Sequence, residues 1–287
     1  MDTRLTTVDS IDARLGPSAT AVAAGRALQA TGVLWFLVAV AGQIAFAAHV
    51  LLFYGGRAMD GNVEAFNKRL INGFIEGDPL GNFVLVLHLA FAFVITVGGP
   101  LQLIPQIRSR WPTFHHWNGR IYLLAALVMA FGGLWMVWTR GVLGGAANHL
   151  GISLNALFII FFAIVAVKNA IARDIDTHRR WALRLFLAVS GVWFIRIGYA
   201  SWIILNQGPA GMTGKLDGPF DIFIALASFT IPLLVLELYF RAQDSRAVLS
   251  KLAMATLMLT VTAITALGAF GTVTIMWRKD FLPLLPA

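Results

Sequence analysis

Six histidines are the residues of this 287-residue chain best equipped for chemistry, because cysteine is absent. Thiolate catalysis, CxxC redox chemistry and cysteine-ligated iron–sulfur clusters are thereby excluded. The histidines are His49, His88, His115, His116, His149 and His178. Imidazole ligates metals, and a b-type haem takes two imidazoles from opposite faces of the ring. Such a pair must come from facing helices at matching depth, so neighbours in sequence cannot supply it. The question is therefore which elements carry these six residues and at what level.

The composition answers the first half. Hydrophobic residues make up 58% of the chain and charged residues 13%, against roughly a quarter charged in soluble domains. Mean hydropathy is +0.76. A soluble globular protein, a disulfide scaffold and a disordered chain are all excluded. A span needs about 20 apolar residues, and seven runs of that kind lie at about 27–54, 82–104, 113–139, 146–171, 180–205, 219–240 and 252–277. The expectation is an all-α polytopic membrane protein of seven transmembrane helices, forming one integral membrane domain over 1–287, with a core bundle of helices 2 to 5. The first run is too long for a signal-peptide core and reads as a retained helix. Between the first two runs, Val63, Phe66, Leu70, Ile71, Phe74 and Ile75 recur at helical spacing, which predicts a short interfacial helix on the bilayer.

With the amino terminus placed inside, 14 of the 22 Lys and Arg fall on the cytoplasmic side and seven outside, with Arg196 inside the fifth span. The acidic residues split seven and seven, so the net charge of +8 is a topology signal and gives no motive for nucleic-acid binding. The expected setting is an inner (cytoplasmic) membrane with the N-terminus cytoplasmic and the C-terminus outside.

On that topology the histidines sort into two levels. His88 and His149, on helices 2 and 4, and His49, on helix 1, lie near the outer ends. His115 or His116, starting helix 3, and His178, starting helix 5, lie near the inner ends. His115 and His116 project about 100° apart, so one of them faces the bundle. The levels are separated by roughly 20 Å at helical rise. This is the layout of two stacked bis-histidine haem sites, and the expected cofactor is haem b, one or two per chain. Gly98 and Gly99 at the inner level and Gly132 and Gly133 toward the outer level would give room to ring edges, although glycine is also packing material between membrane helices. Arg120, Arg184 and Arg196 could address propionates. Arg196 is too deep in its span for comfortable snorkelling, whereas Arg120 and Arg184 are not. Asp174, four residues before His178, could orient its imidazole or cap the helix.

Three pieces of sequence carry a resemblance. They are His88 to Gln102 (HLAFAFVITVGGPLQ), His115 to Tyr122 (HHWNGRIY) and His178 to Arg184 (HRRWALR). Together they resemble an uncharacterised bacterial integral-membrane family with the pattern H…GP-x-Q, then H-x-W-x-G-R-x-Y, then H-R-x-W-x-x-R. The resemblance makes His115 the family's helix-3 histidine and implies no activity by itself. His149 lies outside the three pieces, so the outer partner of His88 stays open between His149 and His49. A second resemblance, of layout alone, is to transmembrane dihaem b-type cytochromes, in which helices 2 and 4, and 3 and 5, supply the axial pairs.

The function expected from these readings is electron transfer between a small-molecule donor or quinone and an acceptor, in a protein that meets membrane lipid and possible partner subunits. The alternative is a haem-free transporter or a structural subunit of a membrane complex. A divalent-metal hydrolase would need carboxylates gathered around histidine, and only Asp174, Asp176 and His178 lie close in sequence.

Overall fold

In the computed structural model, residues 18–70 and 72–281 are described, and the terminal charges Asp2, Arg4, Asp9, Asp12 and Arg14, together with Ile71, lie outside them. The described residues form helices α1 (Ala19–His49), α2 (Pro79–Leu103), α3 (Pro112–Arg140), α4 (Gly145–Ile171), α5 (Ile175–Val189), α6 (Gly191–Leu205), α7 (Pro219–Asp244) and α8 (Val248–Gly271), with no strand among them. Six of these spans are long and apolar enough to cross a membrane, and α5 with α6 makes a seventh that is bent by 56°. Outward faces carry Leu37, Phe83, Leu124, Leu157 and Phe270, each more than half exposed, as lipid contact requires.

Local chemistry sets the helix ends. Asp78 caps α2, its Oδ1 accepting from the Gly81 N–H at 2.9 Å, and Pro79 fills the first turn, where no N–H is needed. Asp174 caps α5 by accepting from the Thr177 N–H at 3.1 Å. The first span begins earlier than expected, at Ala19, and runs past His49 through a π-turn over Val50–Gly55.

The fifth span is two helices, where the apolar run suggested one. Ser190 and Gly191 stand at the break, a pair of the kind that kinks helices. Ser190 Oγ donates to the Phe186 carbonyl at 2.8 Å, and Asn155 Nδ2 of α4 donates to the Ala188 carbonyl at 3.1 Å. Two side chains thus compete for carbonyls that a straight helix would use internally.

The predicted interfacial helix is also different. Val63–Lys68 is a 3₁₀ turn, and Phe66 is buried edge-on against Tyr54, their centroids 5.2 Å apart. Side chains override the helical period there. Asn67 binds both backbone groups of Phe74, at 2.7 and 2.9 Å, and Asn82 binds both of Ile75, at 3.0 and 2.7 Å. The segment therefore folds onto the bundle, where its apolar spacing had suggested the bilayer.

Helices α2, α3, α4 and α5 contact one another in sequence, and Phe186 of α5 closes the ring against Gly99 of α2. Their shared core includes Ile95, Tyr122, Ala126, Ala163 and Ala188. This is the core bundle of helices 2 to 5 expected from the sequence, in which α2 lies diagonal to α4 and α3 to α5. On the other side, α6 and α8 approach so closely that a Cβ at Gly268 would overlap the Ile197 carbonyl. At Gly42 of α1 a Cβ would stand 2.7 Å from the Trp193 ring. Small residues at crossings let membrane helices reach van der Waals contact.

Candidate functional site: two histidine levels in a four-helix bundle

At one end of the bundle His115 and His178 begin α3 and α5, the diagonal pair. His178 Nδ1 lies 2.9 Å from the Ala166 carbonyl of α4, a bond that an Nδ1–H can make and an unprotonated Nδ1 cannot. The proton is thereby placed on Nδ1, and the Nε2 lone pair is left for a ligand. His115 is half-buried within electrostatic reach of His178, and its Nδ1 is buried without a hydrogen-bond partner among the described residues. His116 is exposed. Of the two adjacent imidazoles, His115 is therefore the one facing the bundle.

At the other end stand His88 of α2 and His149 of α4. His149 makes a local bond instead, its Nδ1 2.8 Å from the Gly145 carbonyl one turn back on α4, and its ring meets Trp138 edge-on at 5.7 Å. His88 lies against Gly132 and Gly133, whose missing Cβ atoms would stand 3.9 and 3.6 Å from its ring. Its Nδ1 is buried and unpartnered among the described residues.

His49 is engaged elsewhere. It stacks on Trp277, centroids 4.6 Å apart, and its Nδ1 is 3.0 Å from Asp280 Oδ2, at an angle that makes this an electrostatic contact rather than a directed hydrogen bond. Asp280 is held in turn by Arg69 at 3.0 Å. Spacing within the chain could not reveal this cluster, because His49 and Asp280 lie at opposite ends of the sequence.

The glycines divide. Gly98 and Gly99 are tight helix contacts: a Cβ at Gly98 would be 3.0 Å from Asn118 Oδ1, and one at Gly99 3.0 Å from Tyr122 and 3.1 Å from Phe186. Asn118 Nδ2 donates to the Gly98 carbonyl at 2.9 Å, and Gln102 Nε2 donates to the His115 carbonyl at 3.0 Å. The motif residues of α2 and α3 thus clasp each other, and Gln102 holds the backbone of His115. Gly132 and Gly133 border His88 alone and Val84.

The arginines divide too. Arg184 is bound to Glu237 of α7 through Nε at 2.6 Å and Nη2 at 2.9 Å. Arg120 is exposed and lies over the Trp117 ring at 5.0 Å. Arg196 donates to the Val192 carbonyl at 2.7 Å and lies over the Phe46 ring at 5.1 Å, with no carboxylate within ion-pair distance among the described residues. Asp174 serves as the cap of α5 and makes no bond to the His178 ring, whose Nδ1 is taken by Ala166. Among the described residues, no three His, Asp or Glu side chains converge as a multidentate metal site.

Outside the spans, Arg140 joins α3 to the cap of α2. It donates to Asp78 Oδ2 from Nη2 at 2.6 Å and from Nε at 3.1 Å, and to the Gly73 carbonyl at 2.8 Å. Arg140 and then the Gly81 N–H hold the Asp78 carboxyl below its ordinary pKa.

Polar residues that drew no attention in the sequence also gather in mid-bundle. Gln43, Thr96, Tyr122 and Ser190 surround a small cavity at the α5–α6 break. Gln43, an amide within an apolar run, was the legible signal for it.

No curated protein and no solved structure matches the chain. A family does match over residues 85–240, the stretch from the start of α2 to the end of α7 that holds His88, His115, His149 and His178. With more than half of its length matched, the chain belongs to the family described as "Predicted membrane protein (DUF2306)".

Proposed function

We propose that this chain is a b-type cytochrome-like electron-transfer protein of the bacterial inner membrane, with its N-terminus cytoplasmic and its C-terminus outside. His115 and His178 would hold one haem. His88 and His149 are the pair for a second. The observation that carries the reading is the bond from His178 Nδ1 to the Ala166 carbonyl, made on the helix diagonal to that of His115. It is the tautomer and restraint that an axial imidazole needs. His149, bonded to the Gly145 carbonyl of its own helix, has the same Nδ1 tautomer at the other level.

Haem, when bound, would supply the one-electron chemistry. The chain would ligate it, exclude water with the apolar core around Ala126 and Ala163, and fix its propionates. Arg196 is the cation free for a propionate at the His88 level, and Arg120 the one at the His115 level. The donor would be a quinol or another small molecule, and the acceptor or a partner subunit would meet the opposite face.

Haem quantitation after single substitutions tests the assignment. His178→Ala and His115→Ala should each remove one haem per chain, and His116→Ala should remove none. Unchanged haem in His178→Ala would overturn the site. The break in the fifth span favours a second reading, a haem-free transporter, since interrupted helices line substrate paths in such proteins. A colourless, folded preparation would select it.

A further inference from the structure

The cavity at the α5–α6 break is small, about 20 Å³, and is lined by Gln43 and Phe46 of α1, Thr96 of α2, Tyr122 of α3 and Ser190 at the break. Room of this size holds about one water molecule. Two of its polar atoms, Gln43 Oε1 and Tyr122 Oη, are buried without a hydrogen-bond partner among the described residues. Gln43 is 3% exposed and Tyr122 7%. A buried polar group left unpaired is costly, so two beside one cavity point to a guest.

The remaining groups define what the guest must be. Ser190 Oγ donates to the Phe186 carbonyl at 2.8 Å, so it accepts from Gln43 Nε2, 3.0 Å away, and this orients the amide with Oε1 left over. Thr96 Oγ1 donates to the Ala92 carbonyl at 2.6 Å. The hydrogens still unassigned among the described residues are that of Tyr122, the second Nε2–H of Gln43 and the indole N–H of Trp193. The cavity therefore presents lone pairs, of which Gln43 Oε1 asks for a hydrogen donor, together with hydrogens, of which that of Tyr122 asks for an acceptor. An anion has no hydrogen to give the unpartnered Gln43 Oε1, and a cation is disfavoured because the Arg196 guanidinium stands across Phe46, 5.1 Å from its ring.

We infer that the break in the fifth span is a binding site for a single neutral hydrogen-donating molecule of water size, which bridges Gln43 and Tyr122. The inference does not depend on haem. The guest donates to Gln43 Oε1, accepts from Tyr122, and ties α1 and α3 to the kinked span.

Thermal melts of the purified full chain in detergent test this through the sign of one effect. If the guest is present, Tyr122→Phe removes a satisfied hydroxyl and lowers the melting temperature by a few degrees. If the hydroxyl is simply unpaired, its removal raises the melting temperature. Combining Tyr122→Phe with Gln43→Leu should cost clearly less than the sum of the two single effects, because either change alone loses the bridge. Thr96→Val replaces Gln43→Leu in the cycle if that variant does not fold. A higher melting temperature in Tyr122→Phe, or additive effects in the cycle, overturns the inference.

Discussion

Replacing Glu237 by Gln should weaken the tie between α5 and α7 by leaving the Arg184 guanidinium without its counter-charge. The pair is bidentate, at 2.6 and 2.9 Å, with Arg184 16% and Glu237 41% exposed. A fully exposed pair contributes about 0–1 kcal/mol, and removing one partner from a fully buried pair costs about 3–5 kcal/mol. The partly exposed carboxylate places this pair between those limits, near the roughly 1.5–3 kcal/mol of hydrogen bonds to charged groups. That lowers the folded-to-unfolded ratio by roughly ten- to a hundredfold. Reversible unfolding in mixed micelles reads it directly, and a double-mutant cycle with Arg184→Leu isolates the pairwise part. On the bis-histidine proposal, haem content should stay the same in Glu237→Gln, because Arg184 Nε and Nη2 are already bound to Glu237. A loss of less than about 0.5 kcal/mol, the ordinary scatter of surface substitutions, would refute the energetic argument. A loss of haem equal to that of His178→Ala would return Arg184 to the cofactor.

Three further outcomes follow from the same geometry. Asp78 has its folded pKa lowered, so its contribution is full above the ordinary carboxylate value near 4 and is lost as pH falls through the lower folded value. Asp78→Asn should therefore flatten the acid limb of a stability-versus-pH profile, and an unchanged limb would contradict this. Gly268→Ala drives a methyl into the Ile197 carbonyl and should cost about 1–3 kcal/mol, visible as a lower melting temperature; a neutral result would mean that α6 and α8 separate easily. On the bis-histidine proposal, Arg196→Leu should leave the protein inserted and any haem held by His115 and His178 intact while shifting the potential of one at the His88 level, and a redox titration with both potentials unaltered would give Arg196 a purely structural role.

The seven apolar stretches and the two histidine levels were legible because burial in lipid forces long apolar runs and because depth follows from counting along a helix. What escaped depends on contacts between distant residues. The Ser190–Gly191 break is inconspicuous within an apolar run, and only Asn155 from α4, bonded to the Ala188 carbonyl, and Gln43 from α1, bonded to Ser190 Oγ, show what holds it. The 3₁₀ turn at Val63–Lys68 follows from asparagine side chains capturing backbone groups across seven residues, which a helical period does not register. Arg184 looked free in sequence because Glu237 is 53 residues away. In the sequence the resemblance alone singles out His115 over His116, and the physical reason needed the register of α3 against α2, which Gln102 and Asn118 set.

The reduced-minus-oxidised spectrum of the purified chain, with haem quantified per polypeptide, is the most direct test of the central claim. The bis-histidine reading expects a red preparation with one or two haems per chain and a Soret band that shifts on dithionite reduction. A folded, monodisperse preparation without a Soret band, even after expression with haem supplied, would contradict it.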